Sequence, residues 1–98
     1  MKTKNIHFTD HASIRAAQRG ISQEMIYAAI NHGEINYKQG LRYFISLERN
    51  LLGIVPNSLL DQYRNTVVIV APDNYIITCY KNRNAYSIIK KKSKRLCC

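Results

Sequence analysis

Apolar positions recur at helical spacing from Thr9 to Gly33 and alternate from Glu34 onward, so the pattern predicts a helical part followed by a sheet part. Thr9 can cap a first helix and Gly20 can end it in the left-handed conformation. Ser22 opens a second helix, in which Met25, Ile26, Ala29 and Ile30 form one apolar side before Gly33 closes it. Ile35 and Tyr37, then Leu41, Tyr43, Ile45 and Leu47, alternate with polar neighbours around Gly40, as in a hairpin. Glu48 to Asn65 breaks this rhythm at Gly53 and Pro56-Asn57, which reads as a connecting excursion with local structure near Leu59 to Tyr63. Thr66 to Ala71 is β-branched on both faces, the mark of a central strand. Pro72-Asp73-Asn74 turns the chain back into Tyr75 to Lys81, where alternation places Ile76, Thr78 and Tyr80 on one face and Tyr75, Ile77 and Cys79 on the other. Before the helices, Ile6 and Phe8 suggest an extended lead-in that pairs with a sheet edge or lies on the core.

The expected architecture is therefore α+β, with two N-terminal helices packed on one face of an antiparallel sheet of about four strands. The short connections at Gln39-Gly40 and Pro72-Asp73-Asn74 leave no room for the crossovers of a parallel sheet. At 98 residues one domain is expected, spanning 1–84, with 85–98 as a basic tail in which Ala85 to Ile89 starts a short helix.

Charge changes this picture. Fifteen Lys and Arg stand against six Asp and Glu, a formal net charge of +9, which favours a polyanionic partner. No acidic residue follows Asp73, whereas Arg83, Lys90, Lys91, Lys92, Lys94 and Arg95 do, so the tail reads as a source of sequence-independent phosphate affinity. Met1 to His11 has no apolar stretch of the signal-peptide kind, and the run Val67 to Ala71 is too short to span a bilayer. Cys79, Cys97 and Cys98 lack the spacing of zinc or redox motifs, which points to a reducing cytoplasm. His7, His11 and His32 are scattered, so neither metal nor cofactor is expected, and His32 is read as complementing its helix dipole.

The first helix carries the candidate chemistry. At about 100° per residue, His11, Arg15, Gln18 and Arg19 gather on one side, while Ala12, Ser13, Ala16 and Ala17 lie mostly on the other. An imidazole thus stands about one turn from one guanidinium and roughly 12 Å along the axis from a second, a spacing suited to a phosphodiester chain. A solvated surface face is the common alternative, but this stripe lacks the acidic residues that usually accompany Arg.

The run His11-Ala12-x-x-Arg15-x-x-x-Arg19-Gly20-Ile21-Ser22, followed by a hairpin and Ile76-Ile77-Thr78-x-Tyr80, resembles a bacterial family of unknown function grouped with RelE, ParE and BrnT toxin-like proteins. The likeness runs across most of Phe8 to Asn84. It implies a RelE- or barnase-like fold, shared with metal-independent ribonucleases that serve as toxins of toxin–antitoxin pairs. The excursion from Glu48 to Asn65 and the lysine tail depart from that pattern.

Two functions compete on these residues. In a ribonuclease, the RNA 2′-OH attacks the adjacent phosphate without metal, with His11 as base or acid, Arg15 and Arg19 holding the phosphate, and Tyr80 with Thr78 as donor and orienting group. Gln18, Arg83 and the tail cations would hold the nucleic acid. An acidic antitoxin and a ribosome-associated RNA are the expected partners. The alternative is a non-catalytic module that binds RNA, DNA or the ribosome through the same cations. A membrane anchor at Cys97-Cys98 ranks well below both, since the Cys-a-a-X form is absent.

Overall fold

Thr9 opens the first helix by serving two partners. In the computed structural model, which describes residues 6–84, its hydroxyl accepts the Ala12 amide at 3.0 Å and donates to the Ile76 carbonyl at 3.1 Å. Helix α1 (Asp10–Gln18) is thereby capped and fastened to the sheet by one side chain. It ends in a Schellman motif: the Gly20 amide donates to Ala17, the Ile21 amide donates to Ala16, and Gly20 takes φ +69°. Helix α2 (Gln23–His32) starts at Ser22, whose hydroxyl accepts the Met25 amide.

Gly33 ends α2 for a steric reason rather than a conformational one. Its φ of −75° suits any residue, but a Cβ there would lie 2.4 Å from the Ala29 carbonyl oxygen and 2.5 Å from that of Ile45. Only glycine lets the end of α2 press this closely on the sheet.

Five strands follow the order β1-β5-β4-β3-β2: β1 (His7–Phe8), β2 (Glu34–Lys38), β3 (Leu41–Ser46), β4 (Thr66–Val70) and β5 (Tyr75–Lys81). The β2–β3 hairpin turns through Gln39 and Gly40, both at positive φ, as a two-residue type I′ turn requires. β4, apolar on both faces, lies between β3 and β5 as its composition predicts.

Two expectations are corrected. The sheet has five strands rather than four and is not wholly antiparallel, because β1 pairs parallel to β5 at Tyr75 and Ile76. Two residues carry no readable alternation, so the lead-in could be placed on an edge but not counted as a strand. The second correction concerns β5. Val70 pairs with Ile76 and Ile69 with Thr78, so Ile77 is the extra residue of a β-bulge. Ile76 and Cys79 consequently both face the helices and are fully buried, while Thr78 and Tyr80 share the opposite face without Ile76.

Helices α1 and α2 cover one face of the sheet through Ala12, Ala16, Met25, Ile26 and Ile30, packed on Phe44, Val68, Val70, Ile76 and Cys79. Of the small residues on α1, only Ala12 and Ala16 are buried; Ser13 and Ala17 stay exposed along the groove towards α2. The excursion forms α3 (Glu48–Leu51), a 3-10 turn over Asn57–Leu59 and α4 (Leu60–Tyr63), and packs Leu51, Val55 and Leu60 around Ala28 of α2. Its end is tied down by two buried hydroxyls, since Ser46 and Thr66 both donate to the Tyr63 carbonyl, at 2.8 and 2.7 Å.

Candidate nucleic-acid interface

Helix α1 runs alongside β5, from Thr9 at Ile76 to Arg19 at Cys79. β5 pairs with β1 only at its first two residues, so beyond Ile76 its outer side has no strand neighbour among the described residues. Arg19 fills that gap. Its Nη1 donates to the Cys79 carbonyl at 2.7 Å and to the Thr78 hydroxyl at 3.3 Å, which satisfies an edge carbonyl and brings two of the expected site residues together.

His11, Arg15 and Gln18 are exposed on the same helix, and their side chains make no hydrogen bond or ion pair with the described residues. Tyr80 lies elsewhere. It sits with Tyr43, Ile45 and Val67 on the face turned away from the helices, about 13 Å along β5 from the Ile76 anchor of α1. Burial, and after it the neighbouring Tyr43, hold its hydroxyl above the usual tyrosine range. No contact joins Tyr80 to His11 among the described residues, so the expected constellation is present in part: Arg19 with Thr78, and His11 with Arg15 on one exposed helix side.

At the far end of β5 lies an open cleft of about 540 Å³ lined by Asp61, Arg64, Asn65, Lys81, Asn82 and Arg83. Thr66 pairs with Lys81, so antiparallel register sets the residues that precede β4 beside those that follow β5, and the Asn82 amide donates to the Asn65 carbonyl. Lys81 donates to the Asp61 and Gln62 carbonyls at the end of α4. Burial and the nearby Arg64 pull its ammonium below the usual lysine range, against the opposing effect of Asp61. Arg64 pairs with Asp61 at 2.9 Å and Glu48 at 3.4 Å. Arg83, expected to hold nucleic acid, has no such partner among the described residues. Sequence reasoning missed Arg64, Asn65, Lys81 and Asn82 as a group. The signal that finds them is register, since Arg64-Asn65 and Lys81-Asn82-Arg83 flank two strands that pair.

Of the other cations among the described residues, Arg42 and Arg49 are occupied, whereas the Lys38 side chain, on the opposite edge strand β2, is not. Arg42 donates to the Ala71 carbonyl and to Asn74, and Arg49 pairs with Glu34 at 3.5 Å. Lys90, Lys91, Lys92, Lys94, Arg95 and the expected helix at Ala85 to Ile89 lie outside the described residues. Among the described residues, no group of three or more His, Cys, Asp or Glu could hold a metal ion, and no helix is long and apolar enough to cross a membrane.

Fold and surface together define a small mixed α/β domain with uncommitted cations on one helix, at the end of β5 and, at Lys38, on the opposite edge strand. Residues 8–81 match a domain of unknown function, DUF4258, and the chain belongs to that family. No curated protein and no solved structure matches it.

Proposed function

We propose that this protein binds RNA along the exposed side of α1 and the outer edge of β5, with Arg83 and the tail cations extending the contact. The observation that carries this reading is that the His11 and Arg15 side chains are exposed and free of partners among the described residues, in line with Arg19. Successive stripe residues rise about 6 Å along the axis, so a single strand can meet them in turn. Glu34, Glu48 and Asp61 are drawn towards Arg49 and Arg64, which leaves Asp10 at the start of α1 as the exposed carboxylate next to this surface.

RNA affinity of the nucleic-acid-free protein, measured across a salt series, tests this. Arg15→Ala should lower affinity and reduce the log–log salt slope by roughly 0.7 to 0.9, the share of one phosphate contact. An unchanged slope, or no binding at low salt, would overturn the proposal.

A second reading, the metal-independent ribonuclease of a toxin–antitoxin pair, is favoured by the Arg19–Thr78 hydrogen bond, which sets a phosphate-binding cation beside a hydroxyl at the end of the His11 helix. In that reaction His11 takes the proton of the 2′-OH as its oxygen bonds to phosphorus. The bond to the 5′ oxygen breaks, that oxygen takes a proton from solvent, to which His11 later returns its own, and the products are a 2′,3′-cyclic phosphate and a 5′-OH. Arg15 and Arg19 hold the phosphoryl oxygens. Tyr80, on the far face of the sheet, is the member of the expected set that this surface favours least. The RelE- or barnase-like kinship, the acidic antitoxin and the ribosomal target belong to this reading. His11→Ala should then reduce cleavage by about a hundredfold or more with RNA affinity nearly intact, and chelator should leave cleavage unchanged. Cutting undiminished in His11→Ala would exclude the mechanism, and no cutting of any RNA would leave the binding surface alone.

A further inference from the structure

The two edges of the sheet are treated differently. β5 is covered by β1 and by Arg19, whereas β2, at the other end of the strand order, has no neighbour on its outer side among the described residues. Its sequence, Glu-Ile-Asn-Tyr-Lys, contains neither the proline nor the bulge that commonly blunts an edge, and its Tyr37 is 71% exposed.

The hairpin turn fixes which backbone groups are on offer. In a two-residue turn, Lys38 and Leu41 are the hydrogen-bonded closing pair, so the backbone groups of Lys38, Asn36 and Glu34 point to β3. Those of Ile35 and Tyr37 point outward.

We propose that β2 pairs with β2 of a second copy of this chain, antiparallel and centred on Asn36. In that register Ile35 faces Tyr37 of the other copy and exchanges both backbone hydrogen bonds with it, and Tyr37 does the same with Ile35. Glu34 faces Lys38 of the other copy at each end, so the strand is complementary in charge to itself. The Glu34 carboxylate is already oriented by Asn50 at 2.8 Å and Arg49 at 3.5 Å, and it retains lone pairs for the incoming ammonium. The Lys38 ammonium has no hydrogen bond or ion pair among the described residues. Ile35, already packed against the main core, gains the ring of Tyr37 as cover. The shared strand pair joins two five-stranded sheets into one and leaves the cationic β5 edges at its two ends. A contact of this size falls at the small end of specific interfaces, so the dimer is weak and reversible.

Sedimentation equilibrium of the full chain, freed of nucleic acid and run over a wide concentration range, is the test. A monomer–dimer equilibrium is expected. Tyr37→Pro deletes one outward N–H and leaves the ladder to β3 intact, so it should weaken association at least tenfold without changing the circular dichroism spectrum. Lys38→Glu sets carboxylate against carboxylate and should weaken it most at low salt, and mixing that variant with Glu34→Lys should restore a heterodimer. A chain that stays monomeric throughout would overturn the proposal, leaving the edge to an extended peptide of another protein. A dimer indifferent to both Tyr37→Pro and Lys38→Glu would also overturn it, because its contact would lie elsewhere.

Discussion

Gly20 and Gly33 are alike in sequence terms, each closing a helix, yet they are needed for different reasons. Gly20 lies at φ +69° with no atom within 4 Å of an added Cβ, so Gly20→Ala should cost only the left-handed penalty, about 1 kcal/mol. Gly33→Ala forces a Cβ onto two carbonyl oxygens and should cost about 1–3 kcal/mol as an overpacked site does. Urea denaturation of both variants measures the difference. Helix-closing glycine was legible in the sequence at both positions; the close approach of Ile45 at Gly33 was not, because it depends on a strand twelve residues away in the chain. Cys79 makes a similar point. Burial raises its thiol above the usual range, opposed by Arg19, so the folded chain holds this proton more tightly than the unfolded chain does. The resulting stability is present below about pH 9 and is lost as pH rises through the folded-state value, to which the raised Tyr80 adds in the same direction. Lys81, shifted the other way, opposes this trend. Cys79→Ala should therefore be less stable near neutrality, where it leaves a cavity, but should begin its alkaline loss at higher pH in a series of thermal melts.

Among the elements, those with a repeating pattern were legible, whereas the lead-in and the local structure near Leu59 to Tyr63 were legible only in outline. Both N-terminal helices, the hairpin and the central strand rest on local signals: a cap, a period, a turn. β1, expected only as an extended lead-in at an edge or on the core, is held by its parallel pairing with β5 and by the His7 amide donating to the Asn74 carbonyl, partners distant in sequence. The bulge at Ile77 is silent, since β5 reads as an unbroken apolar alternation until its register with β4 is known. It matters for the surface, because it separates Thr78 and Tyr80 from Ile76. The Thr9 tie can be tested alone: Thr9→Val removes both the α1 cap and the link to β5 and should destabilise the protein by about 1–2 kcal/mol in urea. A smaller loss than a cap alone contributes would mean that α1 is held to β5 by its alanines.

For the molecule as a whole, charge and fold are distributed unequally. Residues 6–84 carry eight Lys and Arg against six Asp and Glu, a net +2, while the other seven positive charges lie in residues 1–5 and 85–98. The sequence already placed much of the basic excess in the C-terminal segment; the remainder, over residues 6–84, is close to neutral, with a few uncommitted cations. Deleting Lys90 to Cys98 should accordingly lower RNA affinity and flatten its salt dependence more than any single substitution on α1, and an unchanged slope would make that segment a bystander. The Arg19 clasp adds a consequence for motion. The Nη1 group that closes the outer edge of β5 also donates to Thr78 on the proposed RNA surface, so a phosphate that captured it would release the Cys79 carbonyl. Ligand binding would then unlatch a strand rather than stiffen it, and amide exchange along 77–80 would quicken as RNA is added.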